Sequence, residues 1–105
     1  MTPATEGTNG SSIDALRDGI AQVDRELVAL MRRRLELAHA LGREKRLAGQ
    51  PLADPTREAE VLRHATQLAR GEGLDTERVR DVFWCLIGMC RAAQIETQAR
   101  QRDDA

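Results

Sequence analysis

The sequence predicts an all-α fold of three helices, the first of them very long. Ala, Leu, Arg and Glu dominate the chain, and these residues are good helix formers. Aromatic residues make up only 2% of it. Apolar residues recur in steps of three and four, which is the period of an amphipathic helix. Glycine and proline interrupt this pattern at two places, which leaves three helical segments.

The first segment is predicted to be one helix from about Ile13 to about Ala48. A helix of that length would span roughly 50 Å, too long to be covered by two short helices of the same chain. Its apolar seam is the stripe of residues Ile13, Leu16, Ile20, Val23, Leu27 and Leu30. We therefore expect a second copy of the chain to lie along it, in an intertwined helical homodimer.

The other two segments have clear start and stop signals. Asp54 is a good N-cap with Pro55 at the first helical position, and glycines end this helix near Glu72. Asp75 caps the third helix, which we expect to run to about Gln98. The predicted organisation is a disordered polar arm at residues 1–12, a helical domain at residues 13–98 and a polar tail at residues 99–105.

Charge and composition exclude several classes of protein. Lys and Arg number 16 and Asp and Glu number 17, so the basic excess of a general nucleic-acid binder is absent. The chain has no apolar run of about 18 residues and no signal peptide pattern at its start, so we expect neither a membrane span nor secretion. Cys85 and Cys90, five residues apart on one helix, are predicted to be reduced thiols. Together these features predict a cytoplasmic protein.

Polar residues occupy positions where the apolar stripes predict hydrophobic ones. In helix one the seam continues onto Arg34 and Lys45, which lie about 20° apart around the helix axis. Gln94 continues the stripe of helix three, and Glu58 precedes that of helix two. One interpretation is that each is a solvated residue near a helix end. The other is that they converge on a pocket for a small dianion that also carries hydroxyl groups.

Other kinds of chemistry have no matching pattern. His39 and His64 are isolated, and the cysteines lack the spacing of metal ligands, so no metal site is expected. A glycine-rich phosphate loop is also missing.

Four segments carry a resemblance to a known family: LRDGIAQVDRELVALMRRRLELAHALGREK at 16–45, PLADPTREAEVL at 51–62, GLD at 73–75 and VFWCLIGMCRAAQ at 82–94. In these residues the chain resembles the all-helical chorismate mutases, from about Ile13 to Gln98. The resemblance implies an enzyme that rearranges chorismate to prephenate without a cofactor, in phenylalanine and tyrosine biosynthesis. It also implies a homodimer.

The resemblance implies roles for three cations and an amide. Arg17 is similar to an arginine donated across the dimer into the partner's site. Arg34 resembles an arginine that grips a substrate carboxylate within the chain. Lys45 resembles a lysine that contacts a carboxylate and the ether oxygen, and Gln94 a glutamine that donates to the same ether oxygen.

It also implies roles at the start of helix two. Asp54, Arg57 and Glu58 match an Asp-Pro-x-Arg-Glu segment in which the glutamate accepts from the ring hydroxyl and the arginine supports the carboxylate end. Cys90 stands where the family commonly has a small hydroxyl residue. Because a thiol is a weaker donor, the substrate contact at this position is expected to differ.

Three alternatives stay open. Within the fold, an isochorismate-pyruvate lyase and a 4-amino-4-deoxychorismate mutase act on closely related substrates. Asp54 and Glu58 favour the chorismate mutase, which must hold a ring hydroxyl. Outside catalysis, the chain could be a helical dimerisation or regulatory module, which would bind no small dianion.

Overall fold

A computed structural model describes the backbone of residues 9–104 and the side chains of residues 12–96, 99 and 100. Within those residues the chain forms three helices: α1 (Asn9–Leu47), α2 (Pro55–Gly71) and α3 (Thr76–Asp104). The predicted all-α fold with one very long helix is confirmed. The chain divides into two units after Arg33, so that the second unit contains the end of α1 together with α2 and α3.

The inner helix boundaries agree with the prediction, and the outer ones do not. α1 begins four residues before Ile13, and α3 continues six residues past Gln98. Both extensions are polar and contain no proline, so no ring blocks the helix there. The disorder predicted for the arm stays a prediction, because residues 1–8 lie outside the described part of the chain.

The predicted caps position the start of α2 and of α3. The Asp54 carboxylate accepts a hydrogen bond of 3.1 Å from the backbone N–H of Arg57, with Pro55 in the first turn. Asp75 accepts in the same way from the N–H of Arg78, at 3.0 Å. Each cap satisfies a backbone donor that the first turn of a helix leaves without a partner. Asp54 and the residues after it are therefore held in a fixed position.

The second unit has a small core between α2 and α3. Its buried apolar side chains are Leu62, Ala65, Ala69, Ile87 and Cys90. The alanines let the two helices approach closely. Large side chains of this unit, such as Leu37 and Leu41, stay more than half exposed. The core therefore uses only part of the apolar surface that the sequence provides.

The seam of the first unit is exposed along its whole length. Each of its six members is more than half exposed, from 51% at Ile13 to 71% at Leu16. Large exposed apolar patches on a soluble chain mark interaction surfaces. This face of α1 is therefore available to another protein chain.

The structure bears on the predicted absence of a membrane span and on the two cysteines. Among the helices of residues 9–104, none has a stretch apolar enough to cross a bilayer. Cys85 and Cys90 are both free thiols, the first exposed and the second buried.

Candidate active site

The second unit contains a cavity of about 300 Å³, which lies where the end of α1 meets α2 and α3. Polar residues in its lining are Arg34, Lys45, Asp54, Arg57, Glu58, Cys90, Arg91 and Gln94, and apolar ones are Leu37, Ala38, Leu41, Leu52, Val61 and Ile87. Apolar walls combined with polar groups that converge on one cavity are typical of small-molecule sites. The structure thus brings together every sequence-predicted site residue except Arg17.

Two half-buried cations of α1 line this cavity. A guanidinium N–H of Arg34 donates to the Cys90 sulfur at 3.0 Å, and the Lys45 ammonium donates to the backbone oxygen of Leu52 at 3.3 Å. Arginine has five N–H donors and lysine three, so most of them remain for a ligand. Within the described residues neither cation has a carboxylate partner. An anionic ligand would supply one.

Glu58 is held by an arginine from the facing helix. The Nε of Arg91 donates to one oxygen of the Glu58 carboxylate at 3.2 Å, and Nη2 donates to the other at 2.5 Å. This two-pronged geometry fixes the plane of the carboxylate as well as its position. Glu58 therefore presents its remaining lone pairs to the cavity in a defined direction.

Gln94 is anchored to α1 by a hydrogen bond and by close packing. Its Nε2 donates to the backbone oxygen of Ala38 at 2.6 Å. Gly42 lies directly beneath it, and a Cβ at that position would be 3.3 Å from Gln94 Cγ and 3.6 Å from Nε2. Glycine costs about 1 kcal/mol relative to alanine inside a helix. Here its missing side chain makes room for the glutamine.

Gly42→Ala is expected to lower the activity of the protein and to leave its thermal stability intact. Helix propensity favours alanine, but the added methyl group would press on Gln94 Cγ, which must give by a few tenths of an ångström and move the amide with it. Because small displacements of a positioned group slow an enzyme, we expect kcat for the reaction proposed below to fall on the order of tenfold, without loss of thermal stability. Gly88→Ala is the matched control, since it is an exposed helical glycine of the same unit, and no heavy atom of the described chain lies within 4 Å of a Cβ there. Equal activity of the two variants would show that Gly42 does not position Gln94.

The two remaining charged residues of the cavity lie at the start of α2 and play unequal parts. Asp54 is half-buried and uses one carboxylate oxygen as the helix cap. The side chain of Arg57 is 66% exposed, and its guanidinium pairs with Glu60 at 3.3 Å. Exposed pairs of this kind contribute little to stability. Arg57 is therefore free to turn toward a ligand at small cost.

Arg17 is exposed and belongs to the first unit, whereas the cavity is lined by residues of the second unit alone. The role that the resemblance implies for Arg17 requires a second copy of the chain. It stays a prediction.

Sequence reasoning missed Arg91 and the bond between Arg34 and Cys90. A signal for Arg91 was present, because Ile87, Arg91 and Gln94 follow the i, i+4, i+7 spacing of one helix face. Its partner Glu58 lies 33 residues earlier in the chain, so no local pattern links the two.

The electrostatics of the cavity favour an anion. Four cations (Arg34, Lys45, Arg57 and Arg91) and two carboxylates (Asp54 and Glu58) line the cavity, so positive charge exceeds negative charge there. Arg91 pairs with Glu58, whereas neither Arg34 nor Lys45 has a carboxylate partner among the described residues. Charged groups in a partly dry cavity are costly unless a ligand pairs with them. Among the described side chains (residues 12–96, 99 and 100), no group of three or more His, Cys, Asp or Glu residues is placed to hold a metal ion.

Fold and cavity together define a class: small helical proteins with a preformed cavity lined by convergent cations, carboxylates and an amide. Comparison with known families is more specific. Residues 16–95 match the model of the family described as chorismate mutase type II. The chain belongs to this family.

The individual relatives of the chain have different names. The chain is 34% identical over 87 residues to a 3-dehydroquinate dehydratase of Pyrobaculum aerophilum, covering 83% of this chain and 25% of that protein. It is 32% identical over 80 residues to the bifunctional chorismate mutase/prephenate dehydratase of Escherichia coli K12, covering 76% and 21%. A 4-amino-4-deoxychorismate mutase of Streptomyces pristinaespiralis is 32% identical over 75 residues, covering 71% and 58%. The chain thus spans a quarter or less of the first two.

Proposed function

We propose that this protein is a chorismate mutase, which converts chorismate to prephenate by a pericyclic rearrangement. The observation that carries the proposal is the convergence of Arg34, Lys45, Glu58 and Gln94 on one cavity, with both α1 cations lacking a carboxylate partner in the described chain. Chorismate is a dianion with a ring hydroxyl and an ether bridge. It therefore has a group to match each of these side chains.

The reaction requires the flexible substrate to be held in its folded, diaxial conformer. Arg34 would bind one carboxylate through its guanidinium fork, and Arg57 would support the same end of the substrate. The folded conformer is rare in water. Binding both ends of the substrate makes it the main conformer in the cavity, which brings the two reacting carbon atoms together. No proton transfer or covalent enzyme intermediate is needed, because the bonds form and break in a concerted reaction through a cyclic transition state.

The ether bond breaks as the new carbon–carbon bond forms, and negative charge builds on the ether oxygen. Lys45 and Gln94 would donate hydrogen bonds to this oxygen. The lysine has two N–H donors beyond its contact with Leu52, and the glutamine amide has one beyond its contact with Ala38. Because both are already anchored, they need little reorganisation as the charge develops. This fixed electrostatic contact would be the main source of acceleration.

The ring hydroxyl would be held at the start of α2. Glu58 would accept its hydrogen bond, and Asp54 would hold the start of α2 in place through its cap. Cys90 stands in the wall beside Arg34, where its sulfur accepts from the guanidinium. A thiol at this position would contribute more to holding Arg34 than to binding the substrate.

We further propose that the enzyme is a homodimer in which Arg17 enters the partner's cavity. The exposed seam of the first unit supports this arrangement, since its six large apolar side chains are more than half exposed. Burying one such side chain fully contributes about 1.5–3 kcal/mol. A second copy of the chain offers a matching seam, and its Arg17 would grip the second substrate carboxylate.

Two inactive variants are expected to restore an active site in one heterodimer. Arg17→Ala and Lys45→Ala should each inactivate both sites of a homodimer. A heterodimer with one chain of each type, isolated through two different affinity tags, contains one site with both residues intact. We expect about half of the wild-type activity from it. An inactive heterodimer, or a failure of the two chains to associate, would contradict donation of Arg17 across the interface.

The proposal is tested with three substrates on the same preparation. Loss of chorismate, with prephenate identified by its acid conversion to phenylpyruvate, is the expected result. Release of pyruvate from isochorismate would assign a lyase instead. The Streptomyces pristinaespiralis relative makes a 4-amino-4-deoxychorismate mutase the second candidate. Silence on all three substrates would favour a non-enzymatic dimerisation or regulatory module.

A further inference from the structure

The ion pair between Arg91 and Glu58 is the feature of the cavity that the proposed reaction leaves unexplained. It links α3 to α2, and both partners line the cavity. The side chains are 41% and 24% exposed, so the pair is only partly screened by water. Both oxygens of the carboxylate are engaged, one by Nε and one by Nη2.

Arg91 is also held from a second side. Its guanidinium carbon lies 6.0 Å from the centroid of the Trp84 ring, within the range of a cation–π contact. A planar guanidinium that is gripped by a carboxylate and an aromatic ring loses most of its rotational freedom. The positive charge beside Glu58 is therefore a fixed element of the site.

This charge has opposite consequences for two possible ring substituents. A ring hydroxyl needs only one acceptor lone pair. The Glu58 carboxylate receives two N–H donors from Arg91 and still has free lone pairs to accept from the hydroxyl. An aliphatic amine is protonated at neutral pH, and an ammonium group would gain most from a carboxylate whose charge nothing else neutralises. Beside Glu58 it would instead meet the like charge of Arg91.

We propose that Arg91 is a specificity-determining residue: by neutralising and orienting Glu58, it selects a substrate with a neutral ring hydroxyl over one with a ring ammonium. The inference rests on the proposed function and deepens it, since it separates chorismate from its 4-amino analogue. Arg91 acts through Glu58 and need not touch the reacting atoms. It is a positioning residue rather than a catalytic one.

The test compares kcat/KM for chorismate and for 4-amino-4-deoxychorismate in the wild-type protein and in Arg91→Gln. We expect the wild type to prefer chorismate. We define the ratio as kcat/KM for the amino substrate divided by kcat/KM for chorismate, and we expect it to rise at least about tenfold in Arg91→Gln. Arg91→Lys keeps the charge and should restore most of the wild-type ratio. Arg78→Gln is the matched control, because it removes an arginine of α3 that pairs with Asp75 outside the cavity.

Each outcome decides the inference. An equal ratio in Arg91→Gln and the wild type would overturn it, because a merely structural role predicts no change in selectivity. A ratio that Arg91→Lys fails to restore would also overturn it, because the charge of Arg91 would then not set the selectivity. If Arg91→Gln does not fold, the wild type still decides, because an equal or greater kcat/KM for the amino substrate contradicts selection against an ammonium. Turnover of neither substrate would instead reject the proposed function, and the inference with it.

Discussion

Lys45→Ala is expected to lower kcat for chorismate by about 10²–10³-fold while the protein stays folded, which is the usual cost of removing a donor aimed at a developing oxyanion. Lys45 lies outside the apolar core, and its ammonium contacts only the Leu52 carbonyl among the described residues. Its loss should therefore change the reaction more than the stability. The measurement is kcat at saturating chorismate, together with thermal unfolding followed by circular dichroism.

Arg46→Ala is the matched control for Lys45→Ala, because it removes the neighbouring cation of α1 from an exposed position outside the cavity lining. It should retain wild-type kcat. Activity of Lys45→Ala within about tenfold of the wild type would mean that electrostatic stabilisation of the ether oxygen does not come from this residue.

Arg34→Ala is expected to lower kcat/KM by about 10²-fold or more, because the substrate would lose the fork that orients one carboxylate. The substitution removes a half-buried cation whose hydrogen-bond partner in the described chain is the sulfur of Cys90. No carboxylate is left without its partner, so the folded state should lose little stability. Initial rates over a range of chorismate concentrations give kcat/KM directly.

Two further variants define what Arg34 contributes. Arg34→Lys keeps the charge without the two-pronged geometry, and should recover only a small part of the lost activity. Arg43→Ala removes an exposed arginine from the same stretch of α1 and should behave as the wild type. Full activity in Arg34→Lys would show that charge alone suffices at this position.

The sequence predicted the helices because the signals that start and stop them are local. Asp54 with Pro55 opens α2, and Gly73, with a φ of +71°, follows its end. Such signals act over a few residues and need no tertiary information. The outer ends of α1 and α3 were predicted too short because polar composition resembles that of a disordered tail. A polar stretch without proline can still continue a helix that is already formed.

The candidate site was predictable where polar residues interrupt an apolar stripe. Arg34, Lys45, Glu58 and Gln94 were singled out on that ground, and the structure brings all four to one cavity. Their roles in the reaction stay predictions. The contacts that orient them were beyond the sequence, because they join distant helices: Cys90 to Arg34 is a separation of 56 residues.

The proposed role of Arg17 depends on a second copy of the chain. Its exposure in the first unit follows from the polar face of α1. No pattern within one chain fixes the geometry across an interface. The heterodimer of Arg17→Ala and Lys45→Ala chains supplies that missing information.

The most direct test of the central claim is to follow chorismate absorbance after adding protein that has been dialysed against EDTA, with the product identified in the same sample. Prephenate is expected to accumulate in step with the chorismate lost, and Lys45→Ala and Arg34→Ala are expected to slow this conversion at least about 10²-fold. Unchanged chorismate, or equal turnover by the wild type and both variants, would contradict the claim that this cavity is the active site of a chorismate mutase.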